Sequence, residues 1–203
     1  RDQRQKETPD CLQIYFSGAS GNVTAGKYNT GDRKNRAVLA SRLHKAMGEA
    51  WRTTRRIPVK EIGFRNAKLS LNPRNHSGFT TKDLEAKLVK DANPWHQCLA
   101  ALGLSWRQRC ERAQPVDIPV LDFGVAQMLL LPGESYVEYQ LAAQKMRPGS
   151  FVWVAGYGEG GTGYIPTGKH WEEKDSNLGD WCWVHPGAEK RMLQAIREAL
   201  VKP

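Results

Sequence analysis

The sequence predicts an α/β fold, a mixed β-sheet flanked by helices, and three observations predict it. Short β-prone apolar runs alternate along the chain with stretches of helical periodicity. Glycine, proline or asparagine cuts off each apolar run. No internal repeat or low-complexity linker interrupts the series, so all 203 residues are expected to form a single unit.

Taken in order, RDQRQKETPD at the start is charged and reads as the polar end of a helix already under way. CLQIYF (11–16) is apolar and β-prone, and the small residues of SGASGN end it, which predicts a buried strand running into a loop. From Arg36 to about Thr53 the residues Val38, Leu39, Leu43, Met47 and Trp51 recur at helical spacing and predict a core-facing helix, with His44 at its interface. KEIGFRNAKLSL (60–71) alternates at Ile62 and Phe64 and again at Leu69 and Leu71, in the manner of a half-buried strand or a bulged pair. Thr80 followed by Asp83 resembles a capping box and starts a helix, and a second helical stretch follows Pro94; both are expected to be surface-packed connectors. DIPVLDFGVAQMLLL (117–131) predicts two strands joined at DFG, which lacks the glycine-rich loop and HRD of a kinase. A helix is predicted from Ser135 to Met146, a strand over FVWVAG (151–156), and a last amphipathic helix from Ala188 to Val201 that turns Met192, Ile196 and Leu200 inward.

Composition narrows the function classes. Thirty basic against 21 acidic residues give a formal charge of +9, enough to favour anionic surfaces. Basic residues gather in WRTTRR (51–56) and SWRQRCER (105–112), but there is no zinc-finger spacing, RNP motif or long basic arm, so nucleic acid is not the expected partner. No apolar run approaches the roughly 20 residues that span a bilayer. Cys11, Cys98, Cys110 and Cys182 form no C-x-x-C pair, and Cys98 and Cys110 can meet only if the helix between them breaks at Gly103.

Three loops each follow an apolar run, the position where ligands gather in open α/β sheets: SGASGNVTAGKYN, PGES and YGEGGTGYIPT. GASGN and GEGGTG have the look of phosphate cradles, yet neither matches G-x-G-x-x-G or the P-loop pattern. Glu134 of PGES has two readings. As an acid in the first turn of a helix it complements the macrodipole, by about 0.3 to 1 kcal/mol; alternatively it faces a ligand.

Taken together, GNVTAGKYN (21–29), LPGE (131–134) and GYIPT (163–167) resemble, in that order, the nucleophile loop, Pro-Gly-Glu and tyrosine loop of the neutral/alkaline ceramidase family. The resemblance implies a zinc-dependent amide hydrolase acting on a lipid or lipid-like N-acyl substrate, with Glu134 and Tyr164 as metal ligands. It puts Thr24 at the position of the family's catalytic serine, and Gly21 and Asn22 on the substrate side, Asn22 where the family has aspartate. A further tyrosine of the family has no counterpart in HWEEKDSNLGDW, where His170 reads as a surface histidine. The family's histidine ligands fall in an earlier half of its catalytic domain, so the resemblance makes this chain the carboxyl-side portion of such a domain, partnered by an upstream half or a companion chain. It also implies secretion or a periplasmic location, with possible peripheral contact with anionic membrane. The alternative is a non-catalytic binding or structural subunit on the same scaffold.

Overall fold

A computed structural model describes residues 1–201, which divide into two compact units. Arg1–Phe16 and Thr24–Val59 make the first; Ser17–Val23 and residues 60–201 make the second.

The first unit contains α1 (Asp2–Glu7) and α2 (Lys34–Thr53). Polar contacts join them: His44 Nε2 lies 2.8 Å from a Glu7 carboxylate oxygen, and the Arg4 guanidinium sits 5.6 Å from the centre of the Trp51 ring. Two expectations are corrected here. Residues 11–16 are not a buried strand, since Leu12, Ile14, Tyr15 and Phe16 are all exposed. The helix over α2 exists, but Val38, Leu43 and Trp51 on its apolar face are exposed and the helix buries none of its residues. Periodicity fixes which face of a helix is apolar; it does not supply the surface that covers it.

In the second unit β1 (Gly63–Leu69) opens the sheet. Next come α3 (Thr81–Lys90), α4 (Pro94–Glu111), β2 (Val116–Asp122) and β3 (Ala126–Pro132). The short β4 (Glu134–Ser135), α5 (Val137–Met146) and β5 (Phe151–Gly158) follow, then β6 (Tyr164–Ile165), α6 (Gly168–Glu172) and α7 (Ala188–Leu200). The main sheet runs β1-β2-β3-β5, antiparallel in its first two pairings and parallel between β3 and β5. That is the mixed sheet the sequence predicts.

The core sits between this sheet and α7, which packs on β1 and β2, with α5 against β5. Met192, Ile196 and Leu200 of α7 are fully buried, as are Ile118, Leu129 and Leu131 on the inward face of the sheet. Burying each such side chain stabilises by about 1.5 to 3 kcal/mol relative to leaving it in water. Phe123 and Gly124 turn the hairpin, where Gln127 Nε2 donates to Asp122 and to the Gly124 carbonyl.

The capping box of α3 is complete: Thr80 Oγ1 accepts from the Asp83 N–H and Asp83 reaches back to the Thr80 N–H. α4 is more than a connector, because it buries Leu99, Ala100, Trp106 and Arg107. Arg107 donates to the carbonyls of Arg74 and Phe79 and to Asn75. The helix runs unbroken through Gly103, where a Cβ would crowd the Trp183 ring, and all four cysteines are free.

Candidate functional site

The three loops singled out in the sequence meet on β4. Glu134 and Ser135 pair in parallel with Tyr164 and Ile165, and the Gly21 N–H donates to the Ser135 carbonyl from the opposite side. Glu134 N–H donates to the Gly163 carbonyl at 3.0 Å and Tyr164 N–H to that of Trp181 at 2.8 Å. Gly133 is joined to β5 by the Tyr157 N–H, 3.1 Å from its carbonyl. The result is a narrow patch of backbone ladder beyond the ends of β3 and β5, where loops of an open α/β sheet collect ligands.

Glycine makes this crowding possible. Gly133 has φ +46°, a conformation that disfavours side chains, and a Cβ there would collide with Thr162 Oγ1. At Gly21 a Cβ would run into the Glu134 carbonyl and the Tyr136 ring. The loops can therefore approach only where the sequence omits the side chain.

Because Glu134 and Tyr164 are direct partners in parallel register, their side chains leave this small sheet on one face. Burial pushes the Tyr164 phenol up from its ordinary range, and the Glu134 carboxylate, Tyr157, Asp175 and Asp180 add to the effect. A neutral phenol beside carboxylates is the state expected of this cluster when no cation is near. Among the described residues no donor hydrogen-bonds the Glu134 carboxylate.

Asn22 uses both ends of its amide on α5. Its Oδ1 accepts from the Val137 N–H at 2.9 Å and its Nδ2 donates to Glu138 at 3.0 Å. Tyr136, the residue before α5, gives no side-chain cap, so Asn22 caps the helix from more than a hundred residues away. Thr24 is exposed and belongs to the first unit, whereas Gly21, Asn22, Glu134 and Tyr164 belong to the second.

Two expectations about this region change. α5 does not begin at Ser135 but at Val137, because Glu134 and Ser135 are held in β4. Glu134 is therefore not a first-turn acid; Glu138 is. Nor is His170 a surface histidine: its side chain is 13% exposed. Its Nδ1 lies 2.8 Å from Thr167 Oγ1, its ring meets Tyr136 edge-on at 4.7 Å, and Nε2 is 3.6 Å from Glu138.

Zinc takes four ligands in most protein sites. Glu134 and Tyr164 fit as two oxygen donors of such a set but not as a whole one, since among the described residues no three His, Cys, Asp or Glu side chains stand close enough to hold a metal.

No protein-family model matches the chain, and no curated protein does. Two solved structures resemble part of it. One is the neutral ceramidase from Pseudomonas aeruginosa, at 16% identity and a TM-score of 0.44, covering 70% of this chain and 28% of that one. The other is a ceramidase complexed with C2, at 14% identity and a TM-score of 0.43, covering 70% and 30%. The chain spans less than a third of the length of either structure.

Sequence reasoning passed over several neighbours of the site. Tyr136 donates to Asp175 at 3.0 Å, and burial pushes its phenol up well above the ordinary value. Ser20 Oγ lies 3.2 Å from the Tyr157 hydroxyl. Ser20 and Tyr157 lie in loops the sequence singles out but at positions with no motif of their own, and the Thr167-x-x-His170 spacing at the start of α6 carries a readable hint.

Proposed function

We propose that this chain carries part of the active site of a zinc-dependent amide hydrolase resembling neutral ceramidase, acting on a lipid or lipid-like N-acyl substrate. The observation that supports it most is the parallel register that sets Glu134 opposite Tyr164, with Gly21 on the other side of the same strand. Gly21, Glu134–Ser135 and Tyr164–Ile165, far apart in the sequence, are thus joined by backbone hydrogen bonds, which supports a shared ligand.

In this reading Glu134 and Tyr164 are the two metal ligands this chain contributes, and histidines from an upstream half or companion chain complete the set. A zinc ion bound there would lower the pKa of a water toward about 7 and polarise an amide carbonyl. The chain's own contribution is positional. Backbone hydrogen bonds hold β4 on both sides, through Glu134 N–H and the Ser135 carbonyl, Gly133 fixes the turn before it, and Asn22 anchors its loop to α5. Gly21 and Asn22 lie on the substrate side, and Thr24 brings a hydroxyl in place of the family serine, with an added methyl group that narrows its approach. A secreted or periplasmic setting belongs to the same reading.

A second reading, a non-catalytic binding or structural subunit, is favoured by Asn22, whose amide is committed at both ends to α5 rather than to a substrate. Metal analysis separates the two. With the histidine donors supplied, Glu134→Gln and Tyr164→Phe are each expected to lose zinc and amide hydrolysis while circular dichroism stays unchanged. Equal zinc content and activity in wild type and both variants would overturn the hydrolase reading, and absence of tightly held zinc from wild type would favour the second.

A further inference from the structure

The positive charge of this chain is not spread evenly. The first unit, about a quarter of the residues, holds 12 of the 30 Lys and Arg but five of the 21 Asp and Glu, a net +7 out of +9. Asymmetry of this size points to an anionic partner for that unit. Most of the excess lies on α2, where Lys34, Arg36, Arg42, Lys45 and Arg52 stand against Glu49 alone, and WRTTRR adds Arg55 and Arg56 just beyond its end. Among the described residues none of these cations is in an ion pair.

The same helix is amphipathic. Leu39, Leu43, Met47 and Trp51 recur every four residues as one apolar stripe, and helical geometry turns Lys34, Arg42, Lys45 and Arg52 to the opposite face. Nothing covers the stripe fully: α2 buries none of its residues, and Leu43 and Trp51 are 61% and 44% exposed. The first unit leaves Leu12, Ile14 and Phe16 exposed as well. We propose that α2 docks on an anionic lipid surface, lying in the interface with its apolar stripe toward the acyl chains and its cations among the phosphate headgroups.

The obvious objection is that an uncovered apolar stripe could equally be a protein or nucleic-acid contact, and the charges decide against both. A protein that covered the stripe as a core covers its own helices would desolvate Arg36, on the stripe's side of the first turn, and interface cores are poor in charge for that reason. A second copy of this chain would bring a net +7 against an equal charge. A nucleic acid would satisfy the cations but leave the leucines and Trp51 in water. An anionic bilayer answers both faces, because lysine and arginine stems reach from an interfacial helix to the headgroups while the stripe is buried. Trp51 at the end of the stripe, with the Arg4 guanidinium 5.6 Å from its ring, suits a boundary that is apolar on one side and wet on the other.

Sedimentation of the full chain with phosphatidylcholine vesicles, with and without about one third phosphatidylglycerol, tests this. Wild type is expected to bind the anionic vesicles and to be released as ionic strength rises. Lys34→Gln, Lys45→Gln and Arg52→Gln together should weaken binding at least about fiftyfold, at about fivefold per cation; Lys82→Gln, Lys90→Gln and Lys190→Gln together, an equal loss from exposed positions of the second unit, should weaken it less than about threefold. Leu43→Ser keeps every charge and should weaken binding about tenfold, with an unchanged circular dichroism spectrum because Leu43 is exposed. Binding that depends on both the α2 cations and Leu43 supports the proposal. No preference for anionic vesicles, equal losses in the two triple variants, or a Leu43→Ser variant that binds like wild type would each overturn it. So would tighter binding of a DNA duplex than of vesicles, or a dimer in solution that Leu43→Ser dissociates, which would assign the stripe to nucleic acid or to a second copy. These outcomes are independent of zinc and of the hydrolase reading.

Discussion

Asn22→Asp restores the residue that the ceramidase-like resemblance expects at this position, and it is expected to destabilise the protein. The substitution keeps the oxygen that accepts the Val137 N–H at 2.9 Å, and its charge adds about 0.3 to 1 kcal/mol of dipole stabilisation at the start of α5. It deletes the donor to Glu138 and sets two carboxylates against each other where N and O now lie 3.0 Å apart. A lost hydrogen bond to a charged group costs about 1.5 to 3 kcal/mol. The repulsion at about 4 Å lies between about 1 kcal/mol in water and about 4 at an effective dielectric of 20, and the 41% exposure of the Glu138 side chain puts it in the lower half. The net loss at pH 7 is about 2 to 4 kcal/mol, similar to the loss of about 2 to 5 for Asn22→Ala, which removes both the cap and the donor to Glu138 without adding charge. The added repulsion raises the folded-state pKa of the carboxylate pair. The destabilisation is therefore full above that raised value and disappears below the unfolded carboxylate pKa of about 4. Urea unfolding from pH 3 to 7 measures this directly: Asn22→Asp should be comparable to Asn22→Ala at pH 7 and clearly the stronger at pH 3, where the repulsion is gone and the cap remains. Glu138→Gln in the Asn22→Asp background should recover most of the loss at pH 7 by returning a donor. An Asn22→Asp variant no stronger than Asn22→Ala at pH 3, or one that Glu138→Gln leaves unimproved at pH 7, would refute the reasoning.

Two further outcomes concern stability. Gly133→Ala is expected to lose at least about 3 kcal/mol, because the added methyl group meets Thr162 Oγ1 at a positive φ, and a denaturant midpoint within error of wild type would contradict it. Asp122, 8% exposed, is the other case. Burial alone would raise its carboxyl, but hydrogen bonds from Arg65, Gln127 and the Gly124 N–H outweigh burial and hold it well below the usual carboxylate range. Its contribution is present above the unfolded value of about 3.9 and is lost as the pH falls, so wild type should weaken below about pH 4. Asp122→Asn should lose about 3 to 5 kcal/mol at pH 7 by leaving Arg65 unpaired, and its stability should depend less on acid; a parallel acid profile would count against the assignment.

What was legible in the sequence is what local chemistry determines. The Thr80–Asp83 box, the apolar stripe of α7 and the DFG hairpin each depend on residues a few positions apart, and each stands where the pattern puts it. The failures involve distant partners. CLQIYF has every local mark of a buried strand, yet burial depends on a covering surface that no five-residue window contains. α4, expected as a surface-packed connector, buries Arg107 on carbonyls some thirty residues back along the chain, partners that its own sequence does not show. The cap on α5 was invisible for the same reason: Asn22 lies in another loop.

Glu134 shows how the two kinds of information combine. From PGES alone, an acid near a helix start is sufficiently explained by the dipole, and the explanation is sound physics applied to the wrong carboxylate. Pairing with Tyr164 and Ile165 delays α5 by two residues and hands the first turn to Glu138, which Asn22 holds in place. Glu134 is thereby released from helix stabilisation. It stands instead in a two-residue strand, fixed on both sides by backbone hydrogen bonds, with its carboxylate free of donors and a half-buried phenol on the same face. A half-buried carboxylate with no donor of this protein on it, set beside a phenol and the carboxylates of Asp175 and Asp180, stands where a cation would be favoured. The same logic identifies the variant to examine first: if Glu134→Gln proves more stable than wild type in the absence of metal, as removal of an uncompensated charge beside Tyr164 predicts, the position is maintained for a ligand and not for the fold.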